Sequence, residues 1–240
     1  MYHGREVALV MPALNEAEVI VSVLEAVDRS IVDRLVVGDN GSTDDTAEVA
    51  RRHGASVVVE PRRGYGSACL RALASLENLP GDALVAFMDA DGSDDPGEIA
   101  RVLEPLAAGN ADVVIGSRVL GNAEPGALTP VQRFGNWLTC SLVRLFWGVR
   151  FTDLGPFRAI TKEALDALEM QDPDFGWTIE LQVKAVQRRL RVVEVPVSRR
   201  VRAAGESKVS GNLIGSFHAG RRILGYVFDA KAEDLRRRVH

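Results

Sequence analysis

Two aspartates separated by one residue, Asp89 and Asp91, follow directly on the apolar run ALVAFM (83–88), in the stretch Met88-Asp89-Ala90-Asp91-Gly92-Ser93-Asp94-Asp95-Pro96. In an extended segment, residues two apart point to the same side, so the two carboxylates project together. Convergent carboxylates repel unless a cation lies between them. Mg2+ or Mn2+ commonly takes one or two carboxylates together with substrate phosphates. The same letters also read as an acidic turn with a helix cap, because Ser93, Asp94 and Asp95 precede a helical pattern. The pair alone does not decide between these readings.

Two further polar segments follow apolar runs in the same way: Pro12-Ala13-Leu14-Asn15-Glu16, and VVGDNGSTDDT (36–46) with Asp39 at its centre. Asn15, Glu16 and Asp39 are candidates for hydrogen bonds to a nucleotide base and ribose, the role of acids after the strands of dinucleotide-binding sheets. Asn15 and Ser42 read equally as capping and turn residues. In Arg62-Arg63-Gly64-Tyr65-Gly66-Ser67, paired glycines before a helix let backbone amides approach an anion such as a diphosphate. The alternative is an ordinary left-handed turn beside solvated arginines. No G-x-G-x-x-G follows the first apolar run and no G-x-x-x-x-G-K-[ST] occurs, which removes the main support for a dinucleotide oxidoreductase or a P-loop NTPase. His3, His53, His218 and His240 lack ligand spacing and Cys69 has no neighbouring base, so neither a histidine metal site nor cysteine catalysis is supported.

The elements that must position these residues alternate along the first half. Apolar runs at 7–11, 35–38, 56–59, 83–88 and 112–116 are separated by stretches of helical spacing at 16–29, 43–52, 67–76 and 97–107. Continuous β-branched runs alternating with helices predict parallel strands covered on both faces, an α/β doubly wound sheet. Ligands of such sheets bind beyond the carboxyl ends of the strands, where all three polar segments fall. Caps are expected at Asn15 and at Ser42 and Thr43. After about residue 117 the alternation stops. A loop is expected from Leu120 to Thr129, then an apolar, aromatic and basic helix over Asn136–Arg150, a helix Thr178–Gln187, a strand Arg191–Val197, and one or two helices over Asn212–His240. The 136–150 segment reads either as an interfacial helix or as one packed on the sheet.

The chain of 240 residues, 46% hydrophobic and 26% charged, can bury a core and is neither collagen-like nor disordered. No run approaches the ~20 apolar residues of a membrane span, and Met1–Arg5 lacks the layout of a signal peptide. Two cysteines are too few for a disulfide framework, which suggests a reducing cytoplasm. The net charge of −4 hides an asymmetry: 9 Lys and Arg against 19 Asp and Glu up to residue 110, then 20 against 14. An acidic half suits a cation, and a basic half suits a phosphate or an anionic membrane surface; scattered solvated charge would give the same counts.

PALNE (12–16), VVGDNGSTDDT (36–46), RRGYGSA (62–68), DADGSDDP (89–96), IGSR (115–118), DLGPFRAI (153–160), EVPV (194–197) and GESK (205–208) together resemble the inverting GT-A glycosyltransferases of family 2. The likeness is strongest to dolichyl-phosphate mannose and polyprenyl-phosphate glucose synthases. Eight ordered motifs covering nearly the whole chain make it specific. It implies transfer of a hexose from a nucleotide-sugar, GDP-mannose or UDP-glucose, to a polyprenyl phosphate, with a divalent cation (Mg2+ or Mn2+) on the donor diphosphate.

Carried over by motif, Pro12, Ala13, Asn15 and Glu16 would line the base and ribose, with Asp39 and Gly64 also on the nucleotide, and Asp89 and Asp91 would hold the metal. Arg118, Arg202 and Lys208 would hold the acceptor phosphate, and Asp153 and Arg158 would lie at the acceptor mouth. Ser93 stands where many synthases carry a glutamine that can join the metal. The implied layout is a single GT-A domain: a nucleotide-sugar and metal half over 1–117, an acceptor half over 118–210 and a helical tail over 211–240. The implied setting is cytoplasmic, with peripheral contact to the inner face of the cell membrane; no nucleic-acid partner is expected, and the oligomeric state stays open.

The resemblance fits the charge map. A phosphomonoester, with its second pKa near 6, is mostly dianionic at neutral pH and is already a nucleophile, so no dedicated base is expected. The protein must instead hold two anions together, with a cation on the donor and basic side chains on the acceptor. Two rivals remain at this level. One keeps the fold and donor but uses a soluble acceptor, a hydroxy acid or polysaccharide, with Asp153 or Glu180 as base. The other is a non-catalytic nucleotide-binding scaffold.

Overall fold

The computed structural model describes residues 1–202 and 213–239, and within the final helix the side chains of 219–236. Strands β1 (Val7–Ala13), β2 (Arg34–Asp39), β3 (Ser56–Val59), β4 (Leu84–Phe87), β5 (Val113–Ala123), β6 (Arg158–Thr161) and β7 (Val192–Arg199) form one sheet in the order β3-β2-β1-β4-β6-β5-β7. Every neighbouring pair is parallel except those of β6, which runs antiparallel to β4 and β5. The expected α/β sheet is therefore present, mostly parallel.

Alternation along β1 shows how the two faces are filled. Val7, Leu9 and Met11 pack with Ile20, Val23 and Leu24 of α1 (Ile20–Ala26) and with Ile99, Val102, Leu103 and Leu106 of α4 (Ile99–Ala107). Ala8 and Val10 face the opposite layer, with Cys69 and Ala72 of α3 (Tyr65–Ala74), Leu165 and Leu168 of α6 (Lys162–Leu168), and Trp177 and Leu181 of α7 (Trp177–Gln187). Each such large apolar side chain taken fully from water contributes about 1.5–3 kcal/mol before entropy is counted. The approach of α3 to the sheet is close: a Cβ on Gly38 would lie 2.5 Å from the Ala68 carbonyl oxygen, so β2 needs a glycine there.

A third cluster lies off the sheet. Cys140 and Val143 of α5 (Pro130–Trp147) pack with Ile179 and Val183 of α7 and with Val227 and Ala230 of α8 (Leu213–Val239). The tail is one helix rather than two. No helix among the described residues is long and apolar enough to cross a membrane.

Several boundaries differ from the sequence reading, each for a local reason. Helix α1 begins at Ile20, not Glu16, because Asn15 sits in the left-handed region (φ 53°) and its side chain is used elsewhere. Helix α2 (Thr46–Arg52) has Asp45, not Ser42 or Thr43, at its N-cap with no side-chain cap bond, and the preceding Asp44 Oδ1 accepts the Thr46 N–H at 3.0 Å. The expected loop from Leu120 is strand as far as Ala123, because β5 resumes pairing with β7 after an irregularity between Ser117 and Asn122. Helix α5 starts six residues earlier than Asn136, set by a Thr129–Gln132 capping box with Pro130 at its first position. Helix α5 buries Thr139, Cys140 and Val143 against α7 and α8 rather than on the sheet, and exposes Phe134, Trp137 and Leu145.

Candidate active site

Parallel pairing brings the polar segments to one edge. Ala13 stands beside Asp39 in the β1–β2 register, the Asn40 N–H donates to the Ala13 carbonyl at 2.8 Å, and the Met88 N–H donates to the Val10 carbonyl at 3.1 Å. Beyond that edge opens a cavity of about 1300 Å3. Pro12, Ala13, Glu16, Gly64, Asp89, Asp91, Arg118 and Arg202 all line it, as expected of the residues that would meet the ligands. Lys208 lies outside the described residues.

The aspartate pair is held by its own loop. Asp91 Oδ1 accepts from the Ser93 N–H at 3.0 Å and from the Ser93 hydroxyl, so Ser93 orients this carboxylate. Burial and the negative charge of Asp91 push the Asp89 carboxyl up to about 7. For Asp91, burial acts in the same upward direction but is outweighed by Arg199, the Ser93 bonds and Arg202, and its pKa lies below the ordinary value. Two oxygen-donor side chains of this kind, converging on a cavity wall, suit a hard divalent cation that would draw its other ligands from phosphate and water. Arg202 joins this wall: it donates to Glu16 Oε1, and its Nε lies 3.6 Å from Asp91 Oδ2.

On the other wall Arg118 is locked to Asp153. Asp153 Oδ2 accepts the Arg118 N–H at 2.8 Å and its Nε–H at 2.7 Å, and Asp153 Oδ1 accepts from Nη2 at 2.6 Å. The loop carrying Asp153 is pinned in turn: Glu194 accepts from the Thr152 N–H at 2.9 Å and the Asp153 N–H at 3.1 Å, and Asn136 accepts the Leu154 N–H at 2.8 Å. Burial raises the Glu194 carboxyl above its ordinary pKa.

Some expectations are corrected. Asp153 and Arg158 have no exposed surface and do not line the cavity, so neither stands at an acceptor mouth. Asp153 fixes Arg118. Arg158 donates to the Thr178 carbonyl at 2.8 Å and to that of Gly155, tying the turn before β6 to α7, and burial lowers its pKa to about 10. Glu180, the other base candidate, is buried, paired with Lys184 at 2.7 Å, and accepts the Asp172 N–H at 2.7 Å. Asn15 and Asp39 border the cavity without lining it: Asn15 Oδ1 accepts the Thr43 N–H at 2.8 Å, and Asp39 accepts the Ser42 N–H at 3.3 Å. The Gly64 N–H is not offered to an anion, since it donates to Asn40 Oδ1 at 2.8 Å. Gly64 and Gly66 are glycines because a Cβ there would lie 2.1 Å from the Pro173 oxygen and 2.0 Å from the Asp172 oxygen.

Three participants escaped the sequence reading. Asn40 lines the cavity and braces the 60–64 turn. Asp94, read as a cap, is 1% exposed and ion-paired with Arg199 at 2.7 Å. Arg199, at the end of β7, also lies 3.4 Å from Asp89. The only signal for it was the run Arg199-Arg200-Val201-Arg202 at a strand end.

A mostly parallel sheet with an aspartate pair on a cavity beyond its strand ends is the frame of a GT-A glycosyltransferase, and this chain is a glycosyltransferase of that fold. It belongs to glycosyl transferase family 2, whose family model matches residues 8–168. An uncharacterized glycosyltransferase of Mycobacterium tuberculosis is 43% identical over 90% of this chain and 95% of its own length. The undecaprenyl-phosphate mannosyltransferase of Micrococcus luteus is 30% identical over 97% of this chain and 98% of its own. Among solved structures, glucosyl-3-phosphoglycerate synthase from Mycobacterium tuberculosis, in complex with Mn2+, UDP and glucosyl-3-phosphoglycerate, superposes with a TM-score of 0.75 at 28% identity, covering 95% of this chain and 81% of that one.

Proposed function

We propose that the protein is an inverting hexosyltransferase that moves a sugar from a nucleotide-sugar, GDP-mannose or UDP-glucose, to a polyprenyl phosphate. One observation carries the reading: a single cavity is lined by Asp89, Asp91 and Arg118 and also by the apolar Val131, Phe134 and Leu138 of α5 and Ile223 and Leu224 of α8. A phosphate with an isoprenoid tail fits that pairing of charged and apolar surfaces. The name of the Micrococcus luteus relative, an undecaprenyl-phosphate mannosyltransferase, points the same way.

In this reading the nucleoside end lies over the β1 and β2 ends, against Pro12, Ala13 and Glu16 with Asp39 at the border. Asp89 and Asp91 would hold Mg2+ or Mn2+, as the Mn2+ and Mg2+ complexes of glucosyl-3-phosphoglycerate synthase suggest. When bound, the ion offsets charge on the departing diphosphate. Arg118 and Lys208 would hold the acceptor phosphate in line with the sugar's anomeric carbon, with Arg202 facing it from the aspartate wall, where it is paired with Glu16. The burial and pairing of Asp153 and Glu180 support an acceptor that needs no protein base. Exposed Phe134, Trp137 and Leu145 with Arg133 and Arg144 on α5 give a face suited to an anionic membrane surface, so we place the protein in the cytoplasm against the inner face of the membrane. The 1–117 half would serve the donor, the 118–210 half the acceptor and the 211–240 tail the hydrocarbon chain.

The test is incubation of radiolabelled GDP-mannose or UDP-glucose with a short polyprenyl phosphate and Mg2+ or Mn2+. Label extracted into the organic phase is expected; label passing only into a water-soluble product with 3-phosphoglycerate would overturn the lipid acceptor.

A further inference from the structure

Three carboxylates, Asp89, Asp91 and Asp94, crowd the loop after β4, and one guanidinium is built in among them. Arg199 is fixed first through its backbone. It bridges Asp94 in antiparallel fashion, its carbonyl accepts the Glu124 N–H at 2.9 Å, and the next N–H, of Arg200, donates to the Ser93 carbonyl at 2.8 Å. The end of β7 is thus stitched to the aspartate loop on one side and to the β5 extension on the other.

Its side chain, 12% exposed and lining the cavity, divides its contacts unequally. Nη1 donates to Asp94 Oδ1 at 2.7 Å, whereas Nη1 and Nη2 stand 3.5 and 3.4 Å from Asp89 Oδ2. The other oxygen of Asp94 accepts the Asp89 N–H at 3.2 Å. Asp89 is therefore gripped at its amide by Asp94 and faced at its carboxylate by the cation that Asp94 anchors. Asp91 is treated differently, with Ser93 on one oxygen and Arg202 at 3.6 Å from the other. The Arg199 Nε is buried with no hydrogen-bond partner among the described residues.

We propose that Arg199 is a positioning residue of the donor site, a fixed counter-ion that offsets one of the three negative charges on the loop. The proposal rests on the donor and metal reading given above. Arg199 faces Asp89 and Asp94 while Arg202 lies 3.6 Å from Asp91, so the carboxylates of the loop outnumber its guanidiniums and the net charge that remains is negative, the sign a divalent ion offsets. Without Arg199 the loop would attract a cation more strongly and repel a diphosphate more strongly. That pair of opposite signs separates a counter-ion from a strut, because a strut's loss loosens the loop and weakens both ligands.

The experiment measures Mn2+ affinity by electron paramagnetic resonance of free Mn2+, and the affinity for UDP and GDP by calorimetry in chelator, for the full chain and three variants. Arg199→Met is expected to bind Mn2+ about tenfold tighter, and to bind the metal-free nucleotide about tenfold more weakly, from a unit charge a few ångströms away in a partly screened site. Arg199→Lys keeps the charge and is expected to match the wild type in both. Asp94→Asn, which leaves Arg199 less compensated, is expected to shift both affinities the other way, towards weaker Mn2+ binding. If Arg199→Met does not fold, Asp94→Asn and Arg199→Lys decide: Mn2+ binding unchanged or tighter in Asp94→Asn, or lost in Arg199→Lys, overturns the proposal. Mn2+ and nucleotide weakened together in a folded Arg199→Met also overturns it. A wild type that binds no Mn2+ with either nucleotide present overturns the metal reading itself, and this inference with it.

Discussion

The Asp153 carboxylate, wholly enclosed, holds the Arg118 guanidinium and backbone amide through three hydrogen bonds of 2.6–2.8 Å, and only the arginine reaches the cavity. The two side chains form one device, a cation aimed by a hidden anion.

Removing either partner strands the other. Asp153→Asn is expected to cost about 3 kcal/mol of stability, the usual scale for breaking a buried pair from one side. Arg118→Met should cost a similar amount. The double variant should recover most of the stability without recovering transfer. Urea melts of the four proteins, with activity measured alongside, check the cycle.

Asp91→Ala removes the carboxylate that Ser93 orients. Transfer should fall by about 10³ or more, the scale on which a preorganised charge contact acts. Because burial is outweighed by Arg199, the Ser93 bonds and Arg202, which hold the Asp91 carboxyl below its ordinary pKa, its loss should also lower stability at neutral pH, which a thermal melt of the same variant measures. Unchanged turnover would remove the metal role from this residue.

The high pKa of Asp89, about 7, gives a pH dependence of stability with a definite sign. Between the ordinary carboxyl value near 4 and about 7, the folded chain binds a proton that the unfolded chain has released, so stability falls as pH rises through that window. In Asp89→Asn this contribution disappears, and the difference between wild-type and variant unfolding free energies, measured in chelator from pH 4 to 8, should change sign-consistently across the window. Because a divalent ion competes with the proton, Mn2+ affinity of the wild type should rise with pH up to about 7 and then level off.

Gly64→Ala forces a Cβ into the Pro173 carbonyl at a φ of 141°. More than about 2 kcal/mol should be lost. Chemical denaturation gives the number, and a loss below 0.5 kcal/mol would mean the 64–67 and 172–173 segments separate easily.

Phe134→Ser with Trp137→Ser leaves the buried face of α5 untouched. Sedimentation with anionic vesicles should drop severalfold while nucleotide binding is retained.

Much of this arrangement was legible because parallel strands leave strong local signals. Strand β3 coincides with the run at 56–59, and the aspartate pair falls where the alternation places it, just past β4. Strand β6 and helix α6 were not read, since both fall after residue 117, where the regular alternation has stopped, and two of the four residues of β6 are the polar Arg158 and Thr161. The motif containing Asp153 and Arg158 lies beneath the cavity wall, a depth its letters do not show. Letters do not distinguish an arginine that lines the cavity, as Arg118 does, from one that ties carbonyls together under the wall, as Arg158 does. Arg199 was hidden for another reason: its partners Asp89 and Asp94 are more than a hundred residues away, joined only by the sheet.

The single reversed strand has an architectural consequence. Strand β5 leaves the sheet at the ligand edge and, because β6 runs backwards, the chain re-enters at that same edge, with Ile115 opposite Arg158. Everything between, including α5 and the loop of Asp153, is a cassette with both feet at the mouth of the cavity. Between Glu124 and Phe157 this cassette lies outside the ladder, so a change of length there breaks no inter-strand hydrogen bond, whereas one at Asn122 or Ala123 would cut the pairing of β5 with β7.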